Sequence, residues 1–334
     1  MTEEKFSELG KTEAIRRLYE ESGYKQKEHC VFNVAKGADI VQSSSLMTEG
    51  IDFDLTYFPL QHLGYKSVIA ATGELYAALA YPKTLSVRIG ISAKLDFTQI
   101  QDIWKGVLTA AKEHCYEDVS LDLIPSANGL YISTCGVGER NTLTEKRRMD
   151  AKSMDLICIS GNLGAAFFGM QVLEREKRKF LENKKNTAQP DLESHKLLVS
   201  EYLRPKINPS YIQQLEEDEI IPSYGYLVNR GLSDAVRRLV RDSGLGAKIY
   251  VDKIPFAGGT FDLGKELNID PISAAFNGGE DYRLLFTIPI GKHDKFRHDF
   301  QTFDIIGHLA KPDVGAVLVT QEGVELPIKA QGWK

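Results

Sequence analysis

The chain lacks several features that would assign it to a class at once. Only four of its 334 residues are cysteine. Cys30, Cys115, Cys135 and Cys158 are widely spaced with no C-x-x-C pair, so neither a disulfide framework nor a zinc site is expected and reduced, buried thiols are the simpler reading. No apolar run approaches the roughly 18–20 residues that span a bilayer. Neither sign of charge dominates: 41 basic residues face 46 acidic ones, a net of −5. No basic stripe carries interleaved aromatics, which argues against nucleic acid as the main partner. The opening Met1-Thr2-Glu3-Glu4-Lys5 is charged and has no apolar segment of the secretory kind. These absences lead to the expectation of a cytoplasmic protein with no membrane partner. Catalytic signatures are also missing. There is no G-x-x-x-x-G-K-S/T loop, because Gly244-Leu245-Gly246-Ala247-Lys248 runs from helix to strand rather than strand to helix. No H-E-x-x-H, G-x-S-x-G or H-R-D set occurs, and the seven histidines show no ligand spacing.

What is present reads as two α/β domains. The length suits two units of about 100–200 residues each, and 43% hydrophobic residues suffice for sizeable cores. Thr12 to Glu21 has Ile15, Leu18 and Tyr19 on one side, an amphipathic helix. Leu85, Val87, Ile89 and Ile91 alternate with Ser86, Arg88 and Gly90, the pattern of a half-buried strand. Phe97, Ile100, Ile103, Trp104, Val107, Leu108 and Ala111 then recur at helical spacing. A strand is expected at Leu130 to Cys135. The polar stretch Glu139 to Met154, with its basic cluster Lys146, Arg147 and Arg148, marks a boundary, giving domains 1–145 and 146–334. The second half opens with a strand at Asp155 to Ser160, a glycine turn and a helix running from Ala165 to about Lys185. A polar loop with Pro190 spans Asn186 to Ser194. A helix from about Leu232 stops at the glycines of Ser243-Gly244-Leu245-Gly246, and strands follow at Lys248–Val251, Arg283–Ile288, Asp304–Ile306 and Ala316–Thr320.

Two segments carry local chemistry. In the turn Gly161-Asn162-Leu163-Gly164 between strand and helix, glycines allow close backbone approach and the helix start offers N–H groups to a phosphate. The same pattern makes a plain tight turn, and spacing alone leaves both open. Gly278-Gly279-Glu280-Asp281-Tyr282 places two glycines before two carboxylates, either a ligand loop or a solvated turn.

Taken in order, these pieces resemble the thiamine-monophosphate kinase family, in the superfamily of aminoimidazole-ribonucleotide synthetase. Glu49-Gly50-Ile51-Asp52-Phe53-Asp54-Leu55 is similar to the family's E-G-V-H-F-D-L, with Asp52 in place of histidine. Leu63-Gly64-Tyr65-Lys66 resembles the start of the helix that follows, and Asp155 through Gly164 the strand and turn D-L-I-x-V-S/T-G-x-L-G. Asn277 through Thr287 reads N-G-G-E-D-Y-R-L-L-F-T, against N-G-G-E-D-Y-E-L-L-F-T. The resemblance covers nearly the whole chain. It implies an N-terminal α/β domain on the nucleotide side that pairs with its twin into a shared β-barrel, hence a homodimer, and a C-terminal α/β domain on the substrate side. It also implies phosphoryl transfer from ATP to thiamine monophosphate, with Mg²⁺ held by aspartates from several loops.

Those aspartates are mostly missing. The family's Gly-Asp-Asp run falls on Phe32 to Ala38, which has no acid pair. The Asp of S-T-D falls on Ser45, and the Ser-Asp of the next helix on Gly73-Glu74. G-G-D-T falls on Ser120-Leu121-Asp122-Leu123, and D-x-S-D-G-L on Leu227-Val228-Asn229-Arg230-Gly231-Leu232. Glu74 and Asp122 are the residual metal candidates. By the resemblance, Glu49, Gly50, Arg148, Gly161, Gly164 and Arg230 are candidates for phosphate or nucleotide, although Asp150 replaces a glycine beside Arg148. Gly278, Gly279, Glu280, Asp281 and Trp333 are candidates for substrate, Trp333 by stacking on a cationic ring. A guanidinium at Arg230 repels a metal and can bind a phosphate directly. The expectation is a catalytically impaired paralogue that keeps a phosphate- or nucleotide-sized pocket. The alternatives are an active ATP-dependent kinase making thiamine diphosphate and a different ATP-dependent reaction.

Overall fold

The structure is a computed structural model that describes residues 9–27, 29–92, 94–182 and 192–329. Its contacts divide the chain into two compact units, 1–76 with 80–142, and 77–79 with 143–334.

The first unit is a four-stranded sheet covered by helices. Helix α1 (Lys11–Glu20) buries Ala14, Ile15, Leu18 and Tyr19. Strand β1 (Ala38–Thr48), helix α2 (Leu60–Ala77), strand β2 (Tyr81–Ser92), helix α3 (Phe97–Glu113) and strands β3 (Asp118–Ser126) and β4 (Tyr131–Asn141) follow. The sheet order is β1-β4-β2-β3, antiparallel except for the parallel β2/β3 pair. Helix α3 starts where Asp96 and Gln99 form a reciprocal capping box, which satisfies two backbone donors left over at the helix start. Its apolar stripe places Trp104 in the core, the indole N–H donating to the Leu18 carbonyl at 2.8 Å. α2 and α3 cross backbone to backbone. A Cβ on Gly64 would overlap the Ile103 carbonyl and one on Gly106 the Gln61 carbonyl, so both positions require glycine. Ser43 and Thr134 donate to the α2 carbonyls of Ala71 and Ser67 at 2.8 and 2.9 Å, tying that helix to the sheet.

In the second unit the chain runs through α4 (Thr142–Arg147), β5 (Leu156–Ser160), α5 (Ala165–Glu182), α6 (Lys196–Leu203), α7 (Tyr211–Glu217), β6 (Gly225–Val228), α8 (Leu232–Ser243) and β7 (Gly246–Tyr250). It continues through α9 (Thr260–Leu267), α10 (Pro271–Asn277), β8 (Arg283–Ile288), α11 (His293–Asp299), β9 (Phe303–Ala310), β10 (Ala316–Val319) and β11 (Glu325–Pro327). The seven strands are ordered β11-β10-β7-β9-β5-β8-β6. All five residues of β5 are buried, as an uninterrupted apolar strand at a sheet centre requires. Ile159, Val228, Val236, Leu239, Ile249 and Leu285 share one core with α8 and α10. Phe286, Phe296, Phe300, Phe303 and Tyr211 form an aromatic cluster, their rings 4.9–6.1 Å apart.

Three of the expected strands prove longer, β2 beginning at Tyr81, β4 reaching Asn141 and β9 reaching Ala310, while β8 matches and β10 ends one residue early. Of the four cysteines expected to be buried only Cys158 is, and Cys115 is exposed. The expected loop over Asn186 to Ser194 lies largely outside the described residues, and its end, Glu193–His195, is a 3₁₀ turn. Among the described residues no helix is long and apolar enough to cross a membrane.

Candidate functional site

Three loops meet at one end of the seven-stranded sheet. The first follows β5, where Gly161 and Gly164 have φ of 88° and 77°, a backbone region that favours glycine. The second, Asn229-Arg230-Gly231, joins β6 to α8. The third, Gly278 to Tyr282, precedes β8, and Gly279, Glu280 and Tyr282 all have positive φ (77°, 67° and 50°). Two consecutive left-handed residues fold this loop back on its neighbours. The Glu280 N–H donates to the Asn229 carbonyl at 2.8 Å, and a Cβ on Gly279 would stand 3.0 Å from that same carbonyl.

Asp281 links the third loop to the first. Its side chain is 2% exposed and accepts from the Gly164 N–H at 2.9 Å and the Ala166 N–H at 3.3 Å. It thus supplies a carboxylate to the start of α5, satisfying helix donors from 117 residues away in sequence. The helix end that a phosphate would use is already occupied by this internal carboxyl group. Burial pushes the Asp281 carboxyl up to about 7, against the opposing pull of the Gly164 amide and the Arg283 charge.

Arg283 was not singled out from the sequence, yet it braces the same turn. Its Nε donates to the Asn162 carbonyl at 3.1 Å and its Nη2 to Glu201 at 2.5 Å. A Cβ on Gly161 would lie 3.4 Å from the guanidinium. The signal was visible: this is the one position in Asn277–Thr287 that departs from the family pattern, arginine for glutamate. Arg230 is exposed at the mouth of the second loop. Arg148, at the end of α4, pairs with Glu145 at 3.2 Å. Trp333 lies outside the described residues.

The candidates of the first unit are placed as follows. Glu49 accepts from the Leu130 N–H at 2.7 Å, and the Gly50 N–H donates to the Phe53 carbonyl at 2.8 Å, so this pair builds a turn and clamps the β3–β4 connection. Glu74 is half-buried on α2. Asp122, on β3, sits 2.5 Å from the Lys11 ammonium, which holds its carboxyl below the usual range, with Arg88 adding to the effect. Arg88 lies directly opposite on β2. Sequence reasoning missed Lys11, because nothing in the local pattern shows that α1 reaches β3.

Mg²⁺ requires several oxygen donors around one point. Among the described residues no three His, Cys, Asp or Glu side chains come together in such a group, and Asp122 already has an ammonium in contact. The residues present do not fit the ion.

No family model matches the chain. The thiamine-monophosphate kinase of Aquifex aeolicus is 24% identical over 258 residues, 77% of this chain and 78% of that protein. That of Pyrococcus horikoshii is 27% identical over 278 residues, 82% and 79%. Among solved structures, the one described as AaThiL complexed with AMPPCP and TMP matches with a TM-score of 0.71 and 21% identity over 96% of both chains. The hydrogenase maturation protein HypE in complex with ATP matches at 0.69 and 16%, covering 96% of this chain and 92% of that one. The chain therefore has the aminoimidazole-ribonucleotide-synthetase-like fold. In sequence it is similar to thiamine-monophosphate kinases at 24–27% identity.

Proposed function

We propose that this protein is a thiamine-monophosphate kinase-like paralogue in which phosphoryl transfer is impaired and a pocket for a phosphorylated small molecule or nucleotide is retained. The observation that carries this reading is the electrostatics at the former metal positions. Asp122 is neutralised by Lys11 at 2.5 Å, and Asn229 and exposed Arg230 stand where the resemblance places aspartates. A triphosphate substrate carries charge that has to be offset before its transfer, and here fixed cations replace the acids that would gather Mg²⁺. Arg230 offers a phosphate a planar, bidentate donor without any ion. Relatives of the same fold in complex with AMPPCP, TMP and ATP support a nucleotide or phosphorylated vitamin as the ligand class. The absence of a membrane-spanning helix among the described residues agrees with a cytoplasmic setting.

The outer face of the first unit's sheet supports pairing with a second copy. Ile40 and Leu46 on edge strand β1 are 58% and 60% exposed, and a long open edge with apolar residues favours a partner. Sedimentation at micromolar concentration tests this, and a monomer would contradict it.

Three features favour the alternative of a working kinase: Glu74, Asp122 and the complete Gly278–Tyr282 loop are retained. Incubation with Mg²⁺, ATP and thiamine monophosphate separates the two. The impaired reading expects no thiamine diphosphate from folded protein, whereas turnover of about 1 per second or faster, the ordinary enzyme range, would overturn it. Loss of phosphate-ligand affinity in Arg230→Ala is the companion expectation.

A further inference from the structure

Arg147, in the middle of the basic cluster Lys146-Arg147-Arg148, has no part in the proposed function, and the structure gives it a setting. At the Ile288 end of β8, the end away from the three loops, the second unit holds a cavity of about 320 Å³ lined by Arg147, Met149, Glu219, Ile221, Pro289 and Lys292. This is within the size range of small-molecule sites. Its walls come from three segments, each pinned from outside the cavity. Thr144 donates to Glu216 at 2.7 Å, fixing α4 to α7. Lys295 donates to the Asp218 carbonyl at 2.6 Å, fixing α11 to the end of α7. The Ile290 N–H donates to buried Asp155 at 3.0 Å, fixing the turn that carries Lys292 to the start of β5. Glu219 itself sits at φ 51°, so the corner of the cavity is a strained left-handed residue rather than a slack loop.

The chemistry of the lining is specific. Two cations, Arg147 and Lys292, face one acid, and Met149, Ile221 and Pro289 supply an apolar wall. The acid does not saturate them. Arg147 and Glu219 are 3.9 Å apart with side chains 66% and 70% exposed, a long, solvated pair that holds the guanidinium weakly. We propose that this cavity is a second binding site, distinct from the loop end of the sheet, and that it takes a small organic anion with an apolar body. The carboxylate, sulfonate or phosphate of the ligand is held by Arg147 and Lys292, and its apolar part lies against Met149, Ile221 and Pro289.

Anilinonaphthalene sulfonate, an apolar anion that fluoresces on leaving water, is the probe. Titrated into the full chain it should saturate at one site, with affinity falling as salt is raised. The double variant Arg147→Glu/Lys292→Glu should bind it about tenfold more weakly or worse, because two attractive charges become repulsive. Ile221→Trp, which fills the cavity, should abolish binding at unchanged thermal stability. Unaltered affinity in both folded variants overturns the proposal. So does tight binding by the parent protein that ignores salt, or equal affinity for the uncharged phenylnaphthylamine, and both results are obtained without any variant.

Discussion

Asp281→Asn turns the burial of one carboxyl into a measurable pH dependence. The side chain caps α5 from within the protein, and burial pushes its carboxyl up to about 7 from the ordinary 3.8. Between those two values the native chain holds a proton that the unfolded chain has released. The resulting contribution to stability is complete below the unfolded value and is lost as pH rises through the folded one. With ~1.4 kcal/mol per unit, a separation of about three units sets a ceiling of about 4 kcal/mol, of which about 3 falls between about pH 5 and pH 8. Asparagine does not titrate. It keeps one acceptor for the Gly164 or Ala166 N–H and leaves the other donor short, a cost of about 1–2 kcal/mol. Urea unfolding of both proteins across this range, taken as a difference, cancels every titrating group they share. The wild type should be the more stable by about 1–2 kcal/mol at acid pH, and the gap should close or reverse by about pH 8. A gap that stays constant, or widens with rising pH, would refute the reasoning. It would mean that the two amides and Arg283 outweigh burial and hold the carboxylate ionised.

Gly106→Ala should destabilise the first unit by about 2 kcal/mol or more despite a gain of about 1 in helix propensity, because its Cβ would overlap the Gln61 carbonyl; a thermal melt at or above the parent's contradicts this crossing. Arg283→Glu, which restores the family residue, should lower stability by about 3 kcal/mol by setting two carboxylates together where Arg283 and Glu201 now meet at 2.5 Å, and denaturant midpoints read it directly. Mn²⁺ followed by electron paramagnetic resonance should show no tight site in the protein as it stands, and a stoichiometric bound ion would refute the misfit of the metal positions.

Much of the fold could be read from the residues, for reasons that differ by element. Helix α3 was legible because its apolar residues recur at 3.6 and its partners lie within the same stripe. β5 was legible as a short apolar run ended by glycine. β1 was not, because Gln42, Ser43, Ser44 and Ser45 carry no alternation of hydrophobicity. That strand exists through its eleven-residue register with β4, a pairing about a hundred residues away. β3 escaped for a similar reason, with Ser120 and Asp122 facing outward. At the candidate site, the loops were found and their internal wiring was not. Lys11 against Asp122, Asp281 on α5 and Arg283 on the Gly161 turn all join segments far apart in the chain, and no local pattern encodes such a meeting.

That wiring also bears on what the retained motif residues mean. Gly64 lets two helices cross, Glu49 clamps a turn, Gly161 and Gly164 adopt left-handed backbone, and Asp281 caps a buried helix start. Each has a structural task that any protein of this fold needs, whether or not it moves a phosphate. The acids that the resemblance expects and this chain lacks fall on Ser45, within β1 and paired with Thr134, and on Asn229 and Arg230 in the loop after β6. Under the proposed reading, a chain released from metal chemistry but still required to fold would keep the first group and lose the second. Retained motifs are therefore weak support for catalysis here, and Arg230 and Lys11 are the residues whose replacement is most informative about what the protein binds.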